Sequence, residues 1–319
     1  MTHPIVEKLY VKMTLPVIGA PMFIVANPKL ILAQCTSGII GSMPALNART
    51  TEQLDEQLAE ITEGLAASTS PKTAPYAINQ IVHASNTRLE KDMALCEKYK
   101  TPMLITSLSA PADVAKAAHA WGGIVFHDVI SVRHAEKALE AGVDGLILVC
   151  NGAGGHAGTI NPFALVSEIR RFYDGPIALS GAISTGAGIL GARAAGADFA
   201  YMGTRFIATT EANASDEYKN MLLQASAKDI IYTPYFTGVS GNYLVQSIIN
   251  AGINPEDLNK ADKTKMNFGE NVHGAKAWKD IWGAGQGVGT IDKIMSTAEL
   301  ITQLQTEYKA AREALFHSL

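Results

Sequence analysis

Eight short apolar runs, at residues 17–20, 38–43, 76–78, 103–105, 123–126, 145–149, 177–179 and 199–202, recur along the first two thirds of this chain with helix-like segments between them. The runs are apolar throughout rather than alternating, which marks strands buried on both faces: parallel strands covered by helices or packed inside a barrel. Segments 51–64, 87–99, 111–121, 132–141, 162–172 and 187–195 carry apolar residues at helical spacing, and Asn161-Pro162 supplies a clear start, an N-cap followed by proline at the first helical position. A weak internal repeat, Glu140-Ala141-Gly142-Val143-Asp144 and Ala195-Gly196-Ala197-Asp198, twice closes a helix with glycine and leads through aspartate into a strand. Eight such units predict an α/β fold, a closed (β/α)8 TIM barrel. An open doubly wound sheet could use the same pieces, but for dinucleotide binding it needs a Gly-x-Gly-x-x-Gly turn after its first strand, and Gly19-Ala20-Pro21-Met22 is not one.

After the eighth run the alternation stops. Residues 213–279 are more polar and hold a helix near 217–227, the aromatic segment Tyr232-Thr233-Pro234-Tyr235-Phe236, a short helix near 245–250 and a charged stretch at 254–265. The expected organisation is therefore a barrel built from residues 1–212 and 280–319, with 213–279 as an inserted lid or substrate domain. With 26 basic and 30 acidic side chains, net charge −4, and no basic cluster, nothing marks a nucleic-acid surface, so small-molecule partners are expected. Cys35, Cys96 and Cys150 are too scattered for a disulfide framework or zinc site, and no histidine pair has metal-ligand spacing. The start lacks a secretion pattern and no run of about 18 apolar residues spans a bilayer, so a cytoplasmic protein is expected; the sequence allows a homodimer without requiring one.

In such a barrel the loops at the carboxyl ends of the strands form the active face. Those positions are Met22, Asn79, Ser107, His127 with Asp128, His156, Ser180 with Gly181, and Gly203 with Thr204. His156 stands out: it lies in Gly152-Ala153-Gly154-Gly155-His156-Ala157-Gly158, directly after the apolar run Leu146-Ile147-Leu148-Val149, where a flat ligand can approach closely. Gly181 or Gly203 alone would be an ordinary tight turn. Together they place small residues on the two loops where barrels commonly bind phosphate through backbone N–H groups. His127 leans to the pocket by the same rule, and His83 is a weaker candidate. His119, His134, His273 and His317 read as helix or surface residues. The aromatic residues Tyr232, Tyr235, Phe236 and Tyr243 either cap a substrate or form the core of the insertion.

Gly19-Ala20-Pro21-Met22, Tyr76-Ala77-Ile78-Asn79, the 152–158 glycine loop, Ser180-Gly181-Ala182, Met202-Gly203-Thr204-Arg205-Phe206 and Ile281-Trp282-Gly283-Ala284-Gly285-Gln286-Gly287 follow one another in order. This set resembles the nitronate monooxygenase family, formerly 2-nitropropane dioxygenases, FMN-containing TIM-barrel enzymes, over about residues 15–289. The resemblance implies that Met22 backs the isoalloxazine ring, Asn79 hydrogen-bonds that ring and Gly154 lies against the cofactor. It further implies that Gly181, Met202, Gly203 and Thr204 hold the phosphate, that Ser180 is a cofactor-binding residue beside them, and that Gly285 and Gln286 close over the cofactor. His156 matches the family's active-site histidine, which takes the α-proton of a nitroalkane or sits against the nitronate oxygens. The implied reaction is oxidation of an alkyl nitronate, propionate 3-nitronate among them, by O2 to a carbonyl compound and nitrite. The same family shape includes FMN-dependent NAD(P)H:quinone and enoyl-thioester reductases, which is the alternative; a flavin-free binding protein is a third reading. Two positions depart from the pattern. Asp128 stands where several relatives place lysine, which implies that it faces away from the flavin, and Val149 stands where many carry glutamine.

Overall fold

The computed structural model describes residues 2–260 and 278–317. Its strands in chain order are β1 (Val17–Gly19), β2 (Gly41–Pro44), β3 (Tyr76–Val82), β4 (Met103–Leu108), β5 (Ile124–Val129), β6 (Gly145–Val149), β7 (Gly155–His156), β8 (Ile177–Ser180), β9 (Phe199–Met202), β10 (Ile230–Thr233) and β11 (Gly241–Leu244). All except β7, β10 and β11 form one parallel sheet, in the order β1-β9-β8-β6-β5-β4-β3-β2. A parallel bridge between Ile18 and Ile40 joins its two ends, with Gly19 N–H donating to Ile40 O at 2.7 Å and Ile40 N–H to Val17 O at 3.1 Å. The sheet is thereby a closed (β/α)8 barrel.

The apolar character of both strand faces has two destinations. Ile18, Ala77, Met103, Ile105, Phe126, Ile147, Ala178, Phe199 and Tyr201 point inward and form a lumen cluster, while their neighbours Val17, Ile78, Leu104, Val125, Leu146, Leu148, Leu179 and Ala200 join the layer between strands and helices. Alternate residues thus fill alternate layers, as a packed barrel requires. The helix Pro4–Tyr10 seals the amino-terminal end by adding Val6 and Leu9 to the lumen cluster. Neither it nor the helix Pro28–Thr36 was expected from sequence. The expected helices are present as Thr51–Ala66, Leu89–Lys98, Ala112–Ala120, Val132–Glu140, Pro162–Ile169 and Gly186–Ala194. Asn161 caps the fifth of these by accepting from Phe163 N–H at 2.9 Å.

The internal repeat has a bonding reason. Asp144 Oδ2 accepts from Val125 N–H at 2.7 Å, and Asp198 Oδ2 accepts from Ile177 N–H at 2.9 Å. Each aspartate therefore stitches the start of its own strand to the start of the preceding one, and each is paired with a base, Asp144 with His119 and Asp198 with Arg170, both at 2.8 Å.

The segment after β9 divides between two cores. Helix Asp216–Gln224 buries Tyr218 and Leu222 in the strand–helix layer, whereas Phe236, Tyr243, Ile248, Ile253, Leu258 and Ile281 make a small separate cluster. Strands β10 and β11 pair antiparallel, and β11 also pairs with β7, so Gly241 lies opposite His156. Residues 261–277, among them the later part of the charged stretch (261–265) and His273, lie outside the described residues. After this segment the chain returns through the turn Gln286–Thr290 to the last helix, Thr297–His317. Among the described residues no helix is long and apolar enough to cross a membrane and no side-chain group has the make-up of a metal site. The three cysteines are buried and free.

Candidate active site

Three loops and the returning segment surround a small cleft at the carboxyl end of the barrel. Gly154, Ser180, Gly181, Gly203, Thr204 and Gly285 all line it. Met202 and Gln286 adjoin it in sequence without lining it. No side chain longer than that of isoleucine enters except Tyr201, so the wall is mostly peptide backbone. The N–H groups of Gly154, Gly181 and Gly203 have no acceptor among the described residues. Peptide donors without acceptors, gathered around one cavity, match a phosphate's oxygens.

The segments are fastened to one another at short range. Thr204 Oγ1 accepts from Gly285 N–H at 2.8 Å, Gly152 O accepts from Gln286 N–H at 2.9 Å, and Ala153 O accepts from Asn242 Nδ2 at 2.6 Å. A Cβ on Gly154 would lie 2.8 Å from Gly285 N and 2.9 Å from Thr204 Oγ1, so only glycine allows this crossing. Gly181 sits at φ +137°, a backbone state that a side chain would strain.

Toward the barrel axis, Asn79, Ser107 and Asp128 share the inward-facing parity of Ala77, Ile105 and Phe126 and form a hydrogen-bonded row on three adjacent strands. Asn79 Nδ2 donates to Ile105 O at 3.2 Å and to Ser107 Oγ at 2.9 Å, and Ser107 Oγ donates to Asp128 Oδ2 at 2.6 Å. Asp128 therefore faces the barrel mouth, contrary to the expectation from sequence. Burial pushes its carboxyl up from 3.8 to about 7. Met22 packs beside the loop after β9, its Sδ 3.6 Å from the position a Gly203 Cβ would take.

His156 is half-buried at the junction of barrel and insertion, with Nε2 2.8 Å from Thr237 Oγ1 and its ring edge-on to Trp278 at 5.2 Å between centroids. Thr237 Oγ1 also lies 3.0 Å from Val239 O, to which it donates. A hydroxyl has one proton, so with that proton on Val239 O it accepts from His156 Nε2–H, which leaves the ring lone pair on Nδ1. Desolvation lowers this imidazole from 6.5 to about 4, so it is neutral at physiological pH.

His127 does not belong to this site. It has the parity of Val125 and Val129, which face the strand–helix layer, and it is 3% exposed with Nδ1 2.8 Å from Thr106 Oγ1. It was expected just after its strand, whereas it lies within β5 and on the face turned to the strand–helix layer. His83 Nδ1 bonds Ser85 Oγ in the turn after β3, and His119 pairs with Asp144. Phe236 and Tyr243 are core residues of the insertion, with Tyr235 packed on them. Tyr232 OH donates to Ala157 O at 2.8 Å, next to His156. Thr237, Asn242 and Trp278 were not found from sequence, since they reach the glycine loop only through the β11–β7 pairing.

Compared with known proteins, residues 6–307 match the family described as nitronate monooxygenase. The chain belongs to the nitronate monooxygenase family. It is therefore an oxidoreductase of a flavin-dependent family. A relative named nitronate monooxygenase from Paraburkholderia phytofirmans is 28% identical, with 94% of each chain covered. The solved structure of FabK from Thermotoga maritima shares the fold at a TM-score of 0.79, 24% identity and full coverage of both chains. That of nitroalkane oxidase from Streptomyces ansochromogenes does so at 0.80 and 21%, covering 95% of this chain and 98% of its own.

Proposed function

We propose that this protein is an FMN-dependent nitronate monooxygenase that converts a small alkyl nitronate, such as propionate 3-nitronate, and O2 into a carbonyl compound and nitrite. The observation that carries this reading is the cavity lined by Gly154, Gly181 and Gly203, whose N–H groups have no acceptor among the described residues, with Gly154 two residues along the chain from His156. The residues present fit FMN: peptide donors and small side chains suit its phosphate dianion, and a polar row at the barrel mouth suits its ring. Gly154, Ser180, Gly181, Gly203, Thr204 and Gly285 would hold the phosphate end, with Met202 and Gln286 supporting those loops. Met22 and Asn79 would meet the ring. Asn79 spends both amide protons on the strand wall, so its free offering is the acceptor Oδ1.

When bound, the flavin supplies the redox chemistry, accepting electrons from the nitronate and passing them toward O2. His156 handles the proton. As a neutral imidazole two residues from Gly154, it would take the α-proton of a neutral nitroalkane, and Thr237 orients the ring through Nε2. Trp278 and the β10–β11 hairpin limit water around the ring.

Anaerobic mixing tests the reading. Loss of the visible flavin absorbance on adding propionate 3-nitronate, with little change on adding NAD(P)H, is expected. Rapid bleaching by NAD(P)H with none by nitronate would instead make the protein a quinone or enoyl-thioester reductase.

A further inference from the structure

In the row Asn79–Ser107–Asp128 the second carboxyl oxygen of the acid has no hydrogen-bond partner among the described residues, and the direction of the hydrogen bonds fixes what that oxygen offers. Asn79 Nδ2 must face Ile105 O, a pure acceptor, so its amide orientation is settled, and Ser107 Oγ accepts from it at 2.9 Å. The single Ser107 hydroxyl proton then goes to Asp128 Oδ2 at 2.6 Å. Oδ2 is thereby the acceptor oxygen, and the proton of a neutral Asp128 belongs on Oδ1. That atom is buried without any hydrogen-bond partner among the described residues.

Among the described residues nothing cationic pairs with it. Asp128 makes no ion pair among the described residues; the group coupled to it electrostatically is the Tyr201 phenol on β9, itself pushed well above its ordinary range by burial. From β4 it meets Ser107, on β6 it lies in register with apolar Ile147, and the adjacent His127 faces the other side of the strand. Burial that holds the carboxyl near neutrality is the expected response of an acid so placed.

We infer that Asp128, oriented by Asn79 and Ser107, acts as a neutral carboxylic acid that donates a hydrogen bond from Oδ1 to a carbonyl or ring-nitrogen acceptor of the flavin. The inference rests on flavin binding in the barrel mouth. With Asn79 Oδ1 as acceptor, the row presents one donor and one acceptor, the complement of the alternating C=O and N–H groups on the pyrimidine edge of isoalloxazine. A donor of this kind also stabilises negative charge on the reduced ring, which a carboxylate would oppose.

The test is proton-linked flavin affinity. Binding of FMN, and of riboflavin, which lacks a phosphate to titrate, is followed by fluorescence quenching from about pH 6 to about pH 9. In the unsubstituted protein Kd for both ligands rises toward about tenfold per pH unit above the Asp128 transition. In Asp128→Asn, whose carboxamide keeps a donor that cannot ionise, Kd is flat and tight; in Asp128→Leu it is flat and weak. Infrared spectra of the ligand-free protein show a carboxylic-acid C=O band at low pH that disappears at high pH and is missing from Asp128→Asn. A bound flavin with a flat profile in the unsubstituted protein, or an unchanged slope in Asp128→Asn, overturns this inference alone. Absence of flavin binding at every pH overturns the flavin reading and this inference with it.

Discussion

Replacing His127 by leucine removes a buried imidazole from the strand–helix layer, and the consequence is a change in how stability depends on pH. The ring is 3% exposed, and burial, with the nearby His134 adding to it, lowers its pKa from 6.5 to about 4. The folded protein therefore keeps His127 neutral down to about pH 4, while the unfolded chain takes up a proton below about 6.5. Its stabilising contribution is present above the unfolded pKa and is lost as pH falls toward the folded one. At pH 5 the two values correspond to a loss of about 2 kcal/mol, and at pH 7.5 to almost none. The Thr106 hydroxyl keeps its bond to Phe126 O at 3.3 Å in the variant, so no buried donor is orphaned. Urea unfolding at both pH values measures the effect: the unsubstituted protein should lose about 2 kcal/mol more than His127→Leu between them. His156 shifts in the same direction and Asp128 in the opposite one, and both are common to the two proteins, so the difference isolates His127. Equal losses in the two proteins would refute the assignment of a neutral buried ring.

Three further outcomes follow from the site. Gly154→Ala places a methyl 2.8 Å from Gly285 N and 3.0 Å from Ala284 C, costing about 1–3 kcal/mol in thermal or urea unfolding and weakening FMN uptake, whereas Gly203→Ala, with 3.5 Å to its nearest neighbour, should unfold like the parent. His156→Asn should keep its flavin but lose about a hundredfold or more in nitroalkane turnover measured by O2 consumption; unchanged turnover with both nitroalkane and nitronate removes His156 from the mechanism. Thr237→Val takes away the acceptor of His156 Nε2–H, so nitrogen NMR of the ring should show a mixture of tautomers where the parent shows one, together with a lower kcat.

The barrel was legible because its strands are short and apolar on both faces, a local property that survives without knowing their partners. The glycine loop and the loops after β8 and β9 were legible for a related reason: each lies immediately after such a run. The helix Pro28–Thr36 was missed although Asn27-Pro28 carries the same start signature as Asn161-Pro162, and Asn27 Oδ1 does accept from Leu30 N–H at 3.0 Å. His127 and Asp128 were harder. In a strand apolar on both sides the period-two pattern vanishes, so nothing local says which of two adjacent polar residues faces the lumen. The partners of His156 were out of reach for a different reason, since Thr237 is 81 residues away and arrives through a hairpin pairing with a two-residue strand.

The visible absorbance spectrum of the purified protein, with release and quantification of the bound chromophore, tests the central claim most directly. The account predicts the two bands of an oxidised flavin and about one FMN per chain, or stoichiometric uptake of added FMN by colourless protein. Protein that is colourless and takes up no FMN would contradict it.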